Sequence, residues 1–371
     1  MGEREREREW EREREREREW EWEWEWEWER GRERERERER LREQPRGRGR
    51  IMRAATLVKP GRFEVGEREA GRAGAGEVVV RVRGCGVCAS NLGPWEGIDG
   101  IGYPMEPGAP GHEVYGEVVA VGEGVAGLAA GDAVTALSYR GFAEYDVARA
   151  DSVVKVPASL AERPILGEPV ACAVNVRRRA GVREGDTVVV VGIGFLGALL
   201  LRLVRRDRPA RVVAVSRRRD ALEMAERMGA DEVLTYDDDV IGRVGEWTGG
   251  RMADVVIEAT GKQRPLDLAA ALTRVRGRLV IAGYHQDGPR QVNLQLWNWR
   301  GIDVVNAHER DAALYAEGMR EGVRLLTEGE LDAEPLISHT FPLEEINRAF
   351  EVARERPAGF FKAVIVPGEA P

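Results

Sequence analysis

The stretch Thr187-Val-Val-Val-Val191-Gly192-Ile-Gly194-Phe195-Leu196-Gly197-Ala-Leu-Leu-Leu-Arg-Leu-Val204 decides the fold. Its β-branched run reads as a short strand buried on both faces, and the apolar residues Ala198–Val204 read as a packed helix. Between them stands a Gly-x-Gly-x-x-Gly turn. Gly192 permits the tight bend, Gly194 lets a pyrophosphate approach the backbone, and Gly197 lets helix and strand pack closely. Phe195 and Leu196 complete the turn, whose helix N-terminal amides face the bound anion. With 44 glycines in the chain such a motif is weak alone, but here it lies inside repeated strand–helix units. Strands are expected at Arg211–Val215, Glu232–Thr235, Asp254–Glu258 and Arg278–Ala282, with a helix carrying Leu222, Met224, Ala225 and Met228 on its apolar face. The middle of the chain is therefore expected to be a doubly wound parallel sheet, a Rossmann-type dinucleotide-binding domain within an α/β protein.

The end of the second strand selects the dinucleotide. An NAD site usually places Asp or Glu there to bond the adenosine ribose, whereas this chain has Ser216-Arg217-Arg218-Arg219 and no acid before Asp220. A hydroxyl and a guanidinium suit the extra phosphate of NADP, which a carboxylate would repel. Ser216 and Arg217 are accordingly expected at the cofactor, and NADP(H) is favoured over NAD(H). The competing reading makes the arginines a solvated helix start with Asp220 as its cap.

Composition limits the remaining possibilities. The chain has 371 residues, 57 Lys+Arg against 65 Asp+Glu, and a net charge of −8, which argues against a nucleic-acid surface over the whole protein. No apolar run approaches the ~18 residues of a membrane span. Three cysteines (Cys85, Cys88, Cys172) make no disulfide framework, and a reducing cytoplasm is the expected compartment. Residues 3–40 alternate Glu with Arg or Trp, and residues 1–50 hold six of the ten tryptophans. Helical pairing terms cancel in that repeat and neither strand face has anything to bury it, so residues 1–51 are expected to be a solvated, low-complexity extension. Arg and Trp codons differ by one base in some cases, so a repeated six-base unit generates the pattern. Met52 is the expected native start, with a strand following at Arg53–Val58.

Upstream of the glycine turn stand two further fragments: Gly84-Cys-Gly-Val-Cys88-Ala-Ser90-Asn91-Leu92-Gly93, and Gly108-Ala-Pro-Gly111-His112-Glu113-Val-Tyr-Gly116, continuing to Gly131-Asp132-Ala-Val134. With the central turn and the closing segments Leu336–Glu345 and Lys362–Pro367, they resemble the medium-chain, zinc-dependent alcohol and polyol dehydrogenases over essentially all of residues 52–366. The resemblance implies a GroES-like, β-rich catalytic domain over 52–172 and 299–371, with the Rossmann domain inserted over 173–298 and the active site in the cleft between them.

It also implies one catalytic Zn2+, held by Cys88 as thiolate, His112 as neutral imidazole and a carboxylate, with a fourth position left open for water or substrate. Glu113 and Glu168 compete for the third place, and Cys172 is a weaker alternative. Ser90 is implied as the first acceptor of the substrate's hydroxyl proton, and Lys362 as a cofactor contact. The reaction implied is reversible hydride transfer between an alcohol or polyol and NAD(P), giving aldehyde or ketone. Two departures stand out. Asn91 replaces the usual Asp behind His112, and Gly93 stands where many members carry a proton-relay histidine. The four closely spaced cysteines of the family's structural zinc lobe are absent, so no second zinc is expected. A zinc-free quinone or enone reductase of the same superfamily and a non-catalytic NADPH-binding protein are the rival readings. By analogy a homodimer or homotetramer is expected, with Asp303–Asn306 in the pairing region; Trp95, Tyr115 and Trp297 are offered as walls of the substrate cleft, and no nucleic-acid or membrane partner is expected.

Overall fold

The computed structural model describes residues 50–236 and 238–368, so the expectations for the Glu/Arg/Trp repeat lie outside the described residues. Strands β1 (Ile51–Lys59) and β2 (Arg62–Glu69) pair antiparallel, with Met52 opposite Arg68. A seven-stranded sheet contains β3 (Glu77–Val87), β4 (Glu113–Val121), β5 (Ala133–Leu137), β6 (Tyr145–Arg149) and β7 (Val153–Lys155). Its other members, β14 (Ile337–Pro342) and β15 (Lys362–Val366), come from the end of the chain, and β15 runs antiparallel to β3. Phe63, Phe142 and Phe350 fill the core of this part with edge-on and tilted ring contacts.

The second sheet has six parallel strands in the order β10-β9-β8-β11-β12-β13. They are β8 (Thr187–Val191), β9 (Arg211–Ser216), β10 (Glu232–Thr235), β11 (Ala253–Glu258), β12 (Thr273–Ile281) and β13 (Asp303–Asn306), each joined to the next through a helix. This order reverses direction between β8 and β11, which opens a ligand crevice at the carboxyl ends of those strands. The run of valines explains the central position of β8. Val188 and Val190 enter one core, Val189 and Val191 the other, and all four are fully buried. A strand with helices on both faces needs apolar residues at every position.

Three expectations are corrected. The helix after the glycine turn begins at Phe195 rather than Ala198, with Gly194 as its N-cap. The domain boundary expected at 172/173 falls inside one continuous helix, Gly167–Ala180, whose buried residues join the core cluster that also holds Val188 and Val190. The return expected at 299 comes too early: β13 extends the parallel sheet through Asn306, because pairing with β12 satisfies its backbone groups.

Candidate active site

Antiparallel pairing of β3 and β4 sets Gly86 opposite Glu113, bringing the residues just after β3 beside those at the start of β4. Gly86 has to lack a side chain, since a Cβ there would overlap the Glu113 carboxylate. Cys88 follows β3 and caps the short turn Ala89–Asn91 that carries Ser90, which is half-buried. Buried Asn91 organises both ligand-bearing segments. Its Oδ1 accepts the Cys88 backbone N–H at 2.9 Å, and its Nδ2 donates to the Pro110 carbonyl at 2.9 Å. His112 Nδ1 lies 3.0 Å from the same carbonyl, so Nδ1–H donates there and Nε2 is free to ligate.

The side-chain ligand atoms of Cys88, His112 and Glu113 all lie within 4.8 Å of one another. One sulfur, one imidazole nitrogen and one carboxylate oxygen form a donor set suited to zinc with a position left open. The electrostatics agree. Burial acts to lower the pKa of His112, but a hydrogen bond to Cys88 and the charges of Cys88, Glu168 and Glu113 override it and push the value up to about 10. The negative charge gathered around the imidazole is what raises it.

Lys362, expected as a cofactor contact, lies against the Glu113 carboxylate. Its Nζ donates to both Glu113 oxygens, at 2.7 and 2.8 Å, with Glu113 fully buried and Lys362 6% exposed. The strand that carries it is buried at its first four positions, where an ammonium needs a carboxylate partner. Burial opposes its charge, yet Glu113 and Cys88 raise its pKa overall. Its Nζ also lies 4.8 Å from the centre of the Phe195 ring, linking the cluster to the first turn of the dinucleotide helix.

Glu168, in the first turn of helix Gly167–Ala180, stands outside the ligand cluster. Its Oε1 accepts from the Tyr315 hydroxyl, which also contacts Cys172 Sγ at 2.8 Å. Burial raises the Glu168 carboxyl, and burial followed by Glu168 raises the Cys172 thiol well above its usual value. Cys172 is thereby kept as a packed thiol, and Cys85 is fully buried. Tyr315 escapes a sequence reading because it falls on the apolar stripe of an ordinary amphipathic helix, Ala312–Thr327.

At the dinucleotide turn, Gly192 has φ +100°, and a Cβ at Gly197 would collide with the Gly192 carbonyl oxygen. Register pairs Thr235 with Ser216, so Tyr236 emerges beside the end of β9 with its buried hydroxyl unpartnered among the described residues. Burial, then Glu258, pushes the Tyr236 phenol up to about 12, and Arg217 acts in the opposite sense. Arg217 is exposed, and Arg356 belongs to the same cluster of guanidinium charges. Arg218 turns away: it donates to the Phe360 carbonyl at 2.7 Å and covers the Phe361 ring at 5.2 Å. Asp220 is no helix cap; it accepts from Arg218 and from the Gly359 N–H at 2.8 Å. Both residues tie the sheet's end to the C-terminal segment.

Of the suggested cleft walls, one is a core residue and one is half-buried against a core. Trp95 is 4% exposed and packs on Phe350, and Trp297 packs against the Val189–Leu279 cluster. Tyr115 is half-buried, close over Gly84. His285 joins buried Glu258, His308 stacks on Tyr284, and His339 lies against Phe360. No helix among the described residues is long and apolar enough to cross a membrane.

Comparison with known proteins agrees with this arrangement. Residues 74–158 match the family model of the alcohol dehydrogenase GroES-like domain, and residues 192–326 that of zinc-binding dehydrogenase. A sorbitol dehydrogenase from Halalkalibacterium halodurans is 27% identical over 340 residues, covering 83% of this chain and 96% of its own. The crystal structure of an alcohol dehydrogenase from Escherichia coli CFT073 with NADH superposes with a TM-score of 0.76 at 25% identity, over 86% of this chain and all of that one. A zinc-binding dehydrogenase from Sinorhizobium meliloti 1021 bound to NADP shares the fold, with a TM-score of 0.75 at 24% identity over 86% of this chain and all of its own. The Cys88–His112–Glu113 cluster, the glycine turn and these matches together place the chain in the medium-chain dehydrogenase/reductase superfamily.

Proposed function

We propose that this protein is a zinc-dependent oxidoreductase that interconverts an alcohol or polyol with its aldehyde or ketone, using NAD(P). The observation that carries this reading is the convergence of Cys88, His112 and Glu113 beside a Gly-x-Gly-x-x-Gly turn. Zinc held by these three residues supplies a Lewis acid at the substrate oxygen, and the bound nicotinamide supplies the hydride acceptor. The chain's own residues do the rest. Asn91 fixes Cys88 and the Pro110 carbonyl that His112 also meets, and Lys362 neutralises and orients Glu113. Ser90, two residues from Cys88, accepts the substrate's hydroxyl proton. Glu168 is held by Tyr315 as an outer carboxylate, and Glu113 would be the third protein ligand.

NADP(H) is the proposed cofactor. Ser216, the Tyr236 hydroxyl, Arg217 and Arg356 supply a hydroxyl-and-guanidinium environment with no carboxylate on the strand end. A homodimer joined at β13 is the proposed assembly. β13 is an edge strand with Val304 exposed, and the neighbouring helix Leu294–Arg300 leaves Trp299 87% exposed beside a groove of about 740 Å³. The described cysteines are all free thiols, in keeping with a cytoplasmic location.

Elemental analysis of undialysed protein, paired with an NADP- and NAD-linked screen of polyols, sugars and aliphatic alcohols, tests the reading. One zinc per chain and activity abolished in a Cys88→Ala, His112→Ala double variant that still binds dinucleotide are expected. A metal-free preparation that turns over alcohols, or full activity in the double variant, refutes it.

A further inference from the structure

Alcohol oxidation breaks a C–H and an O–H bond and forms C=O. The hydride leaves to the nicotinamide, and a proton must leave the closed site by another route. On the reading above, Ser90 receives that proton as its own hydroxyl proton moves on. The next side chain along this face of the turn would be at position 93, where glycine supplies none. The space above Gly93 is filled from the other side of the cleft. A Cβ on Gly93 would lie 3.0 Å from Gln286 Oε1 and 3.1 Å from Ile98 Cδ1.

Gln286 sits on the loop after β12, and that loop is pinned. Arg290 Nε donates to His285 Nδ1 at 2.9 Å, His285 Nε2–H then donates to buried Glu258 at 3.1 Å, and Arg290 also holds the Gly261 carbonyl at 2.8 Å. From this platform Gln286 Nε2 donates to the Ala89 carbonyl at 2.9 Å, immediately before Ser90. Its Oε1 is buried and has no hydrogen-bond partner among the described residues. One end of the amide is thus fixed to the Ser90 turn while the other presents an unused acceptor beside it. Buried polar atoms are nearly always satisfied, so this acceptor is placed to take a hydrogen bond from a donor that arrives with the ligands.

We propose that Gln286 is a positioning residue for proton exit: its Oε1 holds an O–H group that takes the proton from Ser90. That group is a ribose hydroxyl of the bound dinucleotide or a water. Its oxygen accepts the Ser90 proton and releases one proton to solvent, so charge and atoms balance. Nothing in the amide itself titrates; it fixes where the accepting oxygen sits.

Gln286→Leu, which removes both the hydrogen bond to the Ala89 carbonyl and the unused acceptor, and Gly93→Ala, which crowds Oε1, test this in the zinc-loaded enzyme. Each should lower kcat for alcohol oxidation about tenfold or more below neutral pH, with the deficit shrinking at alkaline pH, where solvent base is plentiful. Added imidazole should restore the variants and leave the native rate unchanged. A weaker dinucleotide Kd in Gln286→Leu identifies the ribose as the held group; an unchanged Kd identifies water. An unchanged kcat, or a fall that is uniform across pH and indifferent to imidazole, overturns the proposal. Ser90→Ala is measured alongside. If it retains full activity, the Ser90 reading fails and this inference with it; if Ser90→Ala is impaired while Gln286→Leu is not, only the Gln286 role is lost.

Discussion

Replacing Lys362 by Met exposes how the Glu113 carboxylate is balanced. In the native protein an ammonium lies 2.7 and 2.8 Å from the two carboxylate oxygens, with the Lys362 side chain 7% exposed and the Glu113 side chain fully buried. Coulomb's law at an effective dielectric of about 20 gives roughly 6 kcal/mol of gross attraction, largely offset by desolvation of both ions. Removing one partner strands a buried charge, and the loss is larger than the net worth of the pair, about 3–5 kcal/mol. Urea unfolding of chelator-treated protein should show that loss for Lys362→Met. Glu113→Gln in the same background should recover part of it, because the stranded charge is then gone. Zinc loading should shrink the Lys362→Met penalty as well, since a cation bound at Cys88, His112 and Glu113 replaces the ammonium as counter-charge. A penalty below about 1 kcal/mol, or one indifferent to both zinc and Glu113→Gln, would refute the assignment of Glu113 as a ligand balanced by Lys362.

Ser216→Asp places a carboxylate at the end of β9 and should shift the ratio of kcat/KM for NADP over NAD by about tenfold or more toward NAD; an unchanged ratio removes the basis for the NADP preference. Gly197→Ala drives a methyl into the Gly192 carbonyl oxygen, so dinucleotide affinity should fall at least about tenfold by fluorescence titration while zinc content is retained. Trp95→Ala should cost about 3–5 kcal/mol in denaturant unfolding without altering the KM for alcohol, because the ring is packed on Phe350 and not in the cleft. A changed KM at full stability would return Trp95 to the substrate wall.

The legible parts of this protein are those in which neighbours along the chain do the work. The valine run, the glycine spacing and the absence of an acid after β9 each state a local requirement of backbone geometry or charge, and Thr187–Val204 folds as that stretch demands. The closeness of Cys88, His112 and Glu113 is foreshadowed by the short ordered motifs that hold them. The tertiary structure alone decided which group each of them faces. Lys362 is 249 residues from Glu113 and Tyr315 is 147 from Glu168, so no periodicity could pair them. Register between β15, β3 and β4 brings the first pair together, and packing of helix Ala312–Thr327 on Gly167–Ala180 the second. The same reason covers Trp95 and Gln286. An indole reads alike in a cleft or a core, and an amide in a loop reads as solvated until the opposing turn closes over it. Local sequence fixes conformation and charge; burial and partner choice are set by segments far away in the chain, which the sequence cannot show one stretch at a time.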